Sequence, residues 1–175
     1  QYIDVIRTDE TINEKIESLD LHTTLNSVKN TINELIKNSR ALFYVDFSNL
    51  SHLNFNKFFL QSIFLNLISN SLKFASPQRD LVIKISSREV GDKLQLVFTD
   101  NGIGFDMDKI GDKVFKLHQK FSNNSQSKGI GLYLVRNHME SLGGKIEVQS
   151  EINVGTTFIL TFSPITLDFK NFLNQ

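Results

Sequence analysis

Apolar residues recur along this chain with two different periods, and the switches between them predict its elements. From Leu21 the spacing is helical: Leu25, Val28, Ile32, Leu35 and Ile36 fall on one face. Upstream, Ile3, Ile6, Ile12 and Ile16 are spaced as the tail of an earlier helix would be. Residues 41–47 read as a strand, and a second is predicted around 50–55. Asn56 is the expected N-cap of a long helix that reaches about Phe74 and is ended by Ser76-Pro77. Strands over 81–87 and 93–99 follow, joined by a turn at Gly91-Asp92. Residues 101–128 lack periodicity and are rich in Gly, Asn and Ser, so they read as a long loop, functional or disordered at that length. A helix over 130–142, with Val135, Met139 and Leu142 on one face, stops at Gly143. Final strands over 145–150 and 156–162 flank a turn containing Gly155. The predicted fold class is α/β (α+β): a two-layer sandwich whose mixed sheet is covered on one face by about three helices.

Composition narrows the function classes. The 175 residues suit one domain, and 40% hydrophobic with 22% charged residues is ordinary for a globular chain. Basic and acidic residues balance at 19 each, which removes the general electrostatic argument for a nucleic-acid or membrane-surface binder. With no cysteine there is no disulfide framework, thiolate metal site or cysteine nucleophile. No apolar run approaches the roughly 18 residues that a membrane-spanning helix needs. The chain opens on Gln1, so a processed product or a fragment of a larger protein is expected, cytoplasmic in location.

Four short stretches could carry chemistry. Asn66, Asn70 and Lys73 are spaced i, i+4, i+7 and form one polar stripe on the long helix. Amide oxygens beside an ammonium suit Mg²⁺ and phosphate oxygens, although an amphipathic helix can carry such a flank for solubility alone. Asp100-Asn-Gly-Ile-Gly-Phe105 follows a strand, where glycines admit a ligand to the backbone; Asp-Asn-Gly also makes ordinary hairpins. Ser127-Lys-Gly-Ile-Gly-Leu132 opens a helix, whose free N–H groups and dipole favour phosphate, but it fits neither GxxxxGK[ST] nor GxGxxG. Gly155-Thr156-Thr157 is by itself a turn.

Their order is more specific than any one of them. The series resembles the ATP-binding domain of sensor histidine kinases, in the GHKL superfamily, over about residues 16–163. It supplies an N box (66–74), a G1 box (100–104), an F box (115–121), a G2 box (127–132) and the closing Gly155-Thr156. The resemblance implies a Bergerat-type ATP-binding fold, with ATP and Mg²⁺ bound. It gives Asn70 to Mg²⁺, Lys73 to phosphate and Asp100 to the adenine amino group. Gly102 and Gly104 would shape the adenine pocket, and Thr156 would sit behind Asp100 and orient it. Residues 106–128 would be a mobile lid anchored by Phe115, with Gly129 and Gly131 presenting N–H groups to phosphates. Phe74, Phe105, Lys116, His118, Lys128, Ile130 and Leu132 complete the implied ATP-binding set, and Asn66 and Lys73 take the catalytic positions.

Related ATPases and serine kinases of the superfamily carry Glu where this chain has Asn66, and that carboxylate activates the nucleophile. An amide cannot take a proton, so Asn66 points to the histidine-kinase branch, whose acceptor is another protein side chain. The implied activity is donation of the ATP γ-phosphate to a histidine on a separate dimerisation domain, with a response regulator downstream. The isolated domain is expected to be a monomer and its parent a homodimer, with membrane anchoring of the parent left open and no nucleic-acid partner. Two departures stand out. Ser127 replaces the first glycine usual in the G2 box. The phosphoacceptor motif, a His followed by an acidic residue, is missing: His22, His52, His118 and His138 have no Asp or Glu beside them, and packing or surface roles are expected for His22, His52 and His138. Residues 1–15 are therefore expected to be a remnant of a dimerisation helix or a linker, 16–163 the ATP-binding kinase domain, and 164–175 a tail or linker. Alternatives are a degenerate interaction module of the same fold, supported by Ser127, and a GHKL-type ATPase, opposed by Asn66. The charge balance is itself a cancellation: residues 1–20 carry net −4 and residues 109–128 net +4, the latter in the stretch read as the lid.

Overall fold

In the computed structural model, residues 15–117 and 129–167 are described. The elements run β1 (Glu17–Asp20), α1 (Leu21–Thr31), α2 (Asn33–Ser39), β2 (Leu42–Asp46), β3 (His52–Phe55), α3 (Lys57–Lys73), β4 (Val82–Val90), β5 (Lys93–Asp100), a 3-10 turn (Gly111–Phe115), α4 (Gly131–Ser141), β6 (Lys145–Glu151) and β7 (Gly155–Phe162). The main sheet has the order β2-β4-β5-β7-β6, with β2 parallel to β4 and every other pair antiparallel. β1 and β3 form a separate antiparallel pair.

Strand alternation decides which side each residue faces. Ile83 and Ile85 of β4, Leu94, Leu96 and Phe98 of β5, and Phe158, Leu160 and Phe162 of β7 are buried on one face. The opposite face carries a polar ladder in which Arg88 donates to Gln95, Gln95 to Thr161, and Thr99 meets Thr157. Helix α3 covers the apolar face with Phe59, Leu60, Ile63, Phe64, Leu67 and Ile68, all inside one continuous core with Leu21 and Leu25 of α1 and Val135 and Met139 of α4. The mixed, one-face-covered sheet expected from the sequence is thus the architecture found.

Several local expectations need correcting. The apolar run from Leu21 makes two helices, because the chain breaks at Ile32 (φ −111°, ψ 25°) and α2 buries no residue; Leu35 is 58% exposed. Of the residues spaced as a helical tail, Ile16 is not helical and leads into β1, which pairs with β3, and Ile3, Ile6 and Ile12 lie outside the described residues. The strand predicted around 50–55 is present as β3, and it pairs with β1 outside the main sheet. The predicted loop 101–128 contains the 3-10 turn, which buries Val114 and Phe115. Helix ends follow their signals closely. The Asn56 side chain accepts from the Phe59 N–H at 3.0 Å. At the end of α4, Gly143 (φ +77°) and Gly144 donate back to Glu140 and Met139, a Schellman closure.

Candidate functional site

The inward row of β5 reads Leu94, Leu96, Phe98, Asp100, so the period-2 rule that builds the core also turns a carboxylate inward at the strand's end. Asp100 is 9% exposed. Its Oδ2 accepts from the Ser71 hydroxyl at 2.7 Å and its Oδ1 from the Gly102 N–H at 2.9 Å. An ionised carboxylate has about four acceptor positions, so these two bonds fix its orientation and leave capacity for a further donor. Ser71 was not singled out from the sequence. The available signal was a serine in line with Ile63, Leu67 and Ile68 on the apolar face of α3.

Thr156 stands opposite Asp100 in the β5–β7 register and is buried, but its hydroxyl lies 2.9 Å from the Ser150 hydroxyl. Ser150 donates to the Gly155 carbonyl and accepts from the Phe105 N–H. Thr156, expected to orient Asp100, thus belongs to a second network that seats Phe105, and the hydroxyl bonded to Asp100 is that of Ser71.

The loop after Asp100 is tied down on three sides. Asn101 accepts from the Val82 N–H and donates to the Asp80 carbonyl. The C-terminal carbonyls of a helix lack intrahelical partners, and that of Phe74, the C-cap of α3, accepts from the Ile103 N–H at 2.9 Å. Gly102 passes so close to this carbonyl that a β-carbon there would stand 2.6 Å from it, which only glycine avoids. The Arg79 guanidinium reaches the Asn101, Gly102 and Asn153 carbonyls. Gly104 (φ +61°) lies against the backbone of Glu151 at the β6–β7 turn.

The polar stripe of α3 is present as spaced. Asn66 and Asn70 are half-buried; Lys73, the last residue of α3, holds its ammonium 5.0 Å from the centre of the Phe74 ring. Slight desolvation lowers the Lys73 ammonium below the ordinary lysine value, a shift that a bound anion would oppose. The Asn66 amide nitrogen donates to the Ser62 carbonyl at 2.8 Å. Its oxygen faces Gly131, where a β-carbon would stand 2.7 Å away. Helix α4 begins there, and among the described residues its N-cap Ile130 supplies no side-chain cap, whereas α1 and α3 are capped by Asp20 and Asn56. An uncapped first turn leaves backbone N–H groups and the positive end of the helix dipole available to an anion. Gly129 has φ +63°, and Leu132 packs on the core.

Phe115 is buried with its ring 6.2 Å from Phe158, and Lys116 is exposed just beyond it. His118, Lys120, Phe121, Ser127 and Lys128 lie outside the described residues. The remaining histidines make packing or surface contacts: His22 meets Phe47 edge-on, and His52 lies 3.6 Å from Asp20. His138 stacks on Phe59 at 4.3 Å with its Nε2 3.2 Å from the Ser62 hydroxyl, and burial pushes its imidazole down to about 4.

Among the described residues no three His, Asp or Glu side chains cluster to hold a metal ion. The donors on offer are the amide oxygens of Asn66 and Asn70, hard ligands that suit Mg²⁺ when substrate phosphates complete its shell. No described helix is long and apolar enough to cross a membrane.

Comparison with known proteins places this arrangement. The family described as histidine kinase-, DNA gyrase B-, and HSP90-like ATPase matches residues 56–166. Sensor protein RprX of Bacteroides fragilis is 28% identical over 157 residues, which cover 83% of this chain and 29% of that protein. The chain thus spans under a third of that relative. Among solved structures, the nucleotide-free catalytic domain of histidine kinase ThkA superposes with a TM-score of 0.70 at 22% identity, covering 85% of this chain and 95% of the other. Full-length ShkA in complex with AMPPNP gives a TM-score of 0.72 at 18% identity, covering 85% of this chain and 31% of the other. The two superpositions show the common fold. The chain belongs to the histidine kinase-, DNA gyrase B- and HSP90-like ATPase family, and within it resembles the catalytic domains of sensor histidine kinases.

Proposed function

We propose that this chain binds Mg-ATP between α3, the loop after Asp100 and the start of α4, and donates the γ-phosphoryl group to a histidine on a separate dimerisation domain. The observation that carries this reading is the Asp100 carboxylate, buried and oriented by Ser71 and Gly102 with acceptor capacity remaining. An adenine amino group is the donor it suits. From that anchor the triphosphate would run along α3 past Lys73 and Asn70 to the uncapped N-terminus of α4 beside Asn66. Asn70 would hold Mg²⁺, which when bound neutralises phosphate charge. Lys73 adds a further positive charge, and the α4 N–H groups fix the phosphate's direction.

Phosphoryl transfer depends chiefly on positioning and charge neutralisation, so a site without a carboxylate base near the phosphates is sufficient when the acceptor imidazole brings its own nucleophilic nitrogen. The bond from the γ-phosphorus to the ADP oxygen breaks as a phosphorus–nitrogen bond forms. Asn66, an amide, does not activate water. The acceptor domain and a response regulator are the partners this reading requires. The divisions at residues 15 and 163 are part of the same proposal, as is a cytoplasmic location.

Mixing the chain with the dimerisation domain of its parent and γ-labelled ATP tests the reading. Acid-labile, base-stable label on the added domain is the expected result, with negligible ATP hydrolysis by the chain alone. Steady hydrolysis by the chain alone and no labelled acceptor would assign it to the ATPase branch instead.

A further inference from the structure

We propose that Arg79, in the connection between α3 and β4, is a positioning residue for the base-binding half of the site. This rests on the reading above only for the identity of the ligand. The Arg79 Nε donates to the Asn101 carbonyl at 2.8 Å, and its Nη2 donates to the Gly102 carbonyl at 2.9 Å and the Asn153 carbonyl at 2.7 Å. Nε and Nη2 form one edge of the planar guanidinium, and that edge spans two successive peptide carbonyls in the way it would otherwise span a carboxylate. The third bond crosses to the β6–β7 turn.

The consequence falls on Gly102. Its N–H is held by Asp100 Oδ1 and its carbonyl by Arg79, so both polar groups of one residue are committed. The peptide that orients the carboxylate is itself oriented by the guanidinium. The β6–β7 turn joins the same assembly through the Asn153 N–H, which donates to the Ile103 carbonyl at 2.7 Å. Asn153 has φ +64°, a left-handed conformation that costs a residue with a β-carbon and is retained where its surroundings determine it. The turn's two bonds, to Ile103 and to Arg79, supply that determination. Arg79 therefore couples three segments distant in sequence: its own α3–β4 connection, the loop after Asp100 and the β6–β7 turn.

A lysine cannot reproduce this role, because an ammonium is a point charge and cannot span two carbonyls in a plane. Arg79→Lys and Arg79→Gln in the full chain, assayed with Mg-ATP and the acceptor domain, should raise the KM for ATP about tenfold, with kcat held within roughly twofold. Amide hydrogen exchange at Gly102 and Ile103 should accelerate by a similar factor, while exchange in α3 stays unchanged. Unchanged KM and unchanged Gly102 exchange in both variants would overturn the proposal. So would a uniform acceleration through α3 and the sheet, which marks Arg79 as a general fold support. If the unsubstituted chain fails to bind ATP, the functional reading falls while the exchange measurement still decides the role of Arg79.

Discussion

The two halves of the candidate site are built on the same helix but in opposite ways. On the base side, Asp100 is buried and held by Ser71 and Gly102, and the loop beyond it is fixed by Asn101, Arg79 and the Phe74 carbonyl. All but the Asp100–Gly102 bond cross between segments distant in sequence, so the carboxylate's position is set before any ligand arrives. On the phosphate side, the Asn66 nitrogen bonds back along its own helix to Ser62, and α4 starts without a side-chain cap. In the proposed reading, the first turn of α4 gives its N–H groups to the phosphates. If the proposed reading holds, base recognition is organised in folding, while the phosphate half completes its bonds on binding.

That division can be broken in graded steps. The largest effect is expected for Asp100→Asn. The amide keeps the shape but turns one of the two acceptors into a donor facing either Ser71 or Gly102, and ATP affinity should fall about a hundredfold by calorimetric titration. Next is Gly131→Ala, whose β-carbon would meet the Asn66 oxygen and shift the start of α4. Phosphoryl transfer to the acceptor domain should drop roughly tenfold in single-turnover assays, with ATP affinity changed less than about threefold. Ser71→Ala removes one of two bonds to a buried carboxylate and should weaken ATP binding about fivefold at a stability cost of about 1 kcal/mol by urea unfolding.

The smallest effect lies at the edge of the phosphate half, at His138. Its folded-state value of about 4 lies below the ordinary imidazole value near 6.5, so the unfolded chain binds the extra proton between them. The stability contribution is complete above about pH 6.5 and is lost as pH falls toward the folded value. Between pH 7 and pH 5 the loss should be about 1 kcal/mol, allowing for the ring's partial exposure, and His138→Phe should remove that difference from the urea midpoints.

Much of this architecture was legible in local patterns. Asn56 and Gly143 marked helix ends because capping acts within a few residues, and the inward alternation of β5 carried Asp100 to its place. The break at Ile32 was not legible, since Leu35 and Ile36 continue the apolar period although α2 buries nothing. Nor was β1, four residues whose ladder partner among the described residues is β3, more than thirty residues on. In the site, the motif residues could be placed by their order, but those that hold them could not. Ser71 and Asp100 are 29 residues apart, Phe105 and Ser150 45, and Arg79 and Asn153 74. A serine or arginine in a loop or on a helix face shows no sign of such a partner until the chain folds.

The central claim is that Asp100 reads a base amino group, and it is tested most directly by titrating the unsubstituted chain with Mg-ATP and Mg-GTP under the same conditions. Guanine places a carbonyl oxygen where adenine carries its amino group, so the carboxylate would face an acceptor. The account predicts one saturable ATP site per chain and GTP binding at least about a hundredfold weaker. Equal affinity for the two nucleotides, or no binding of either, would contradict it.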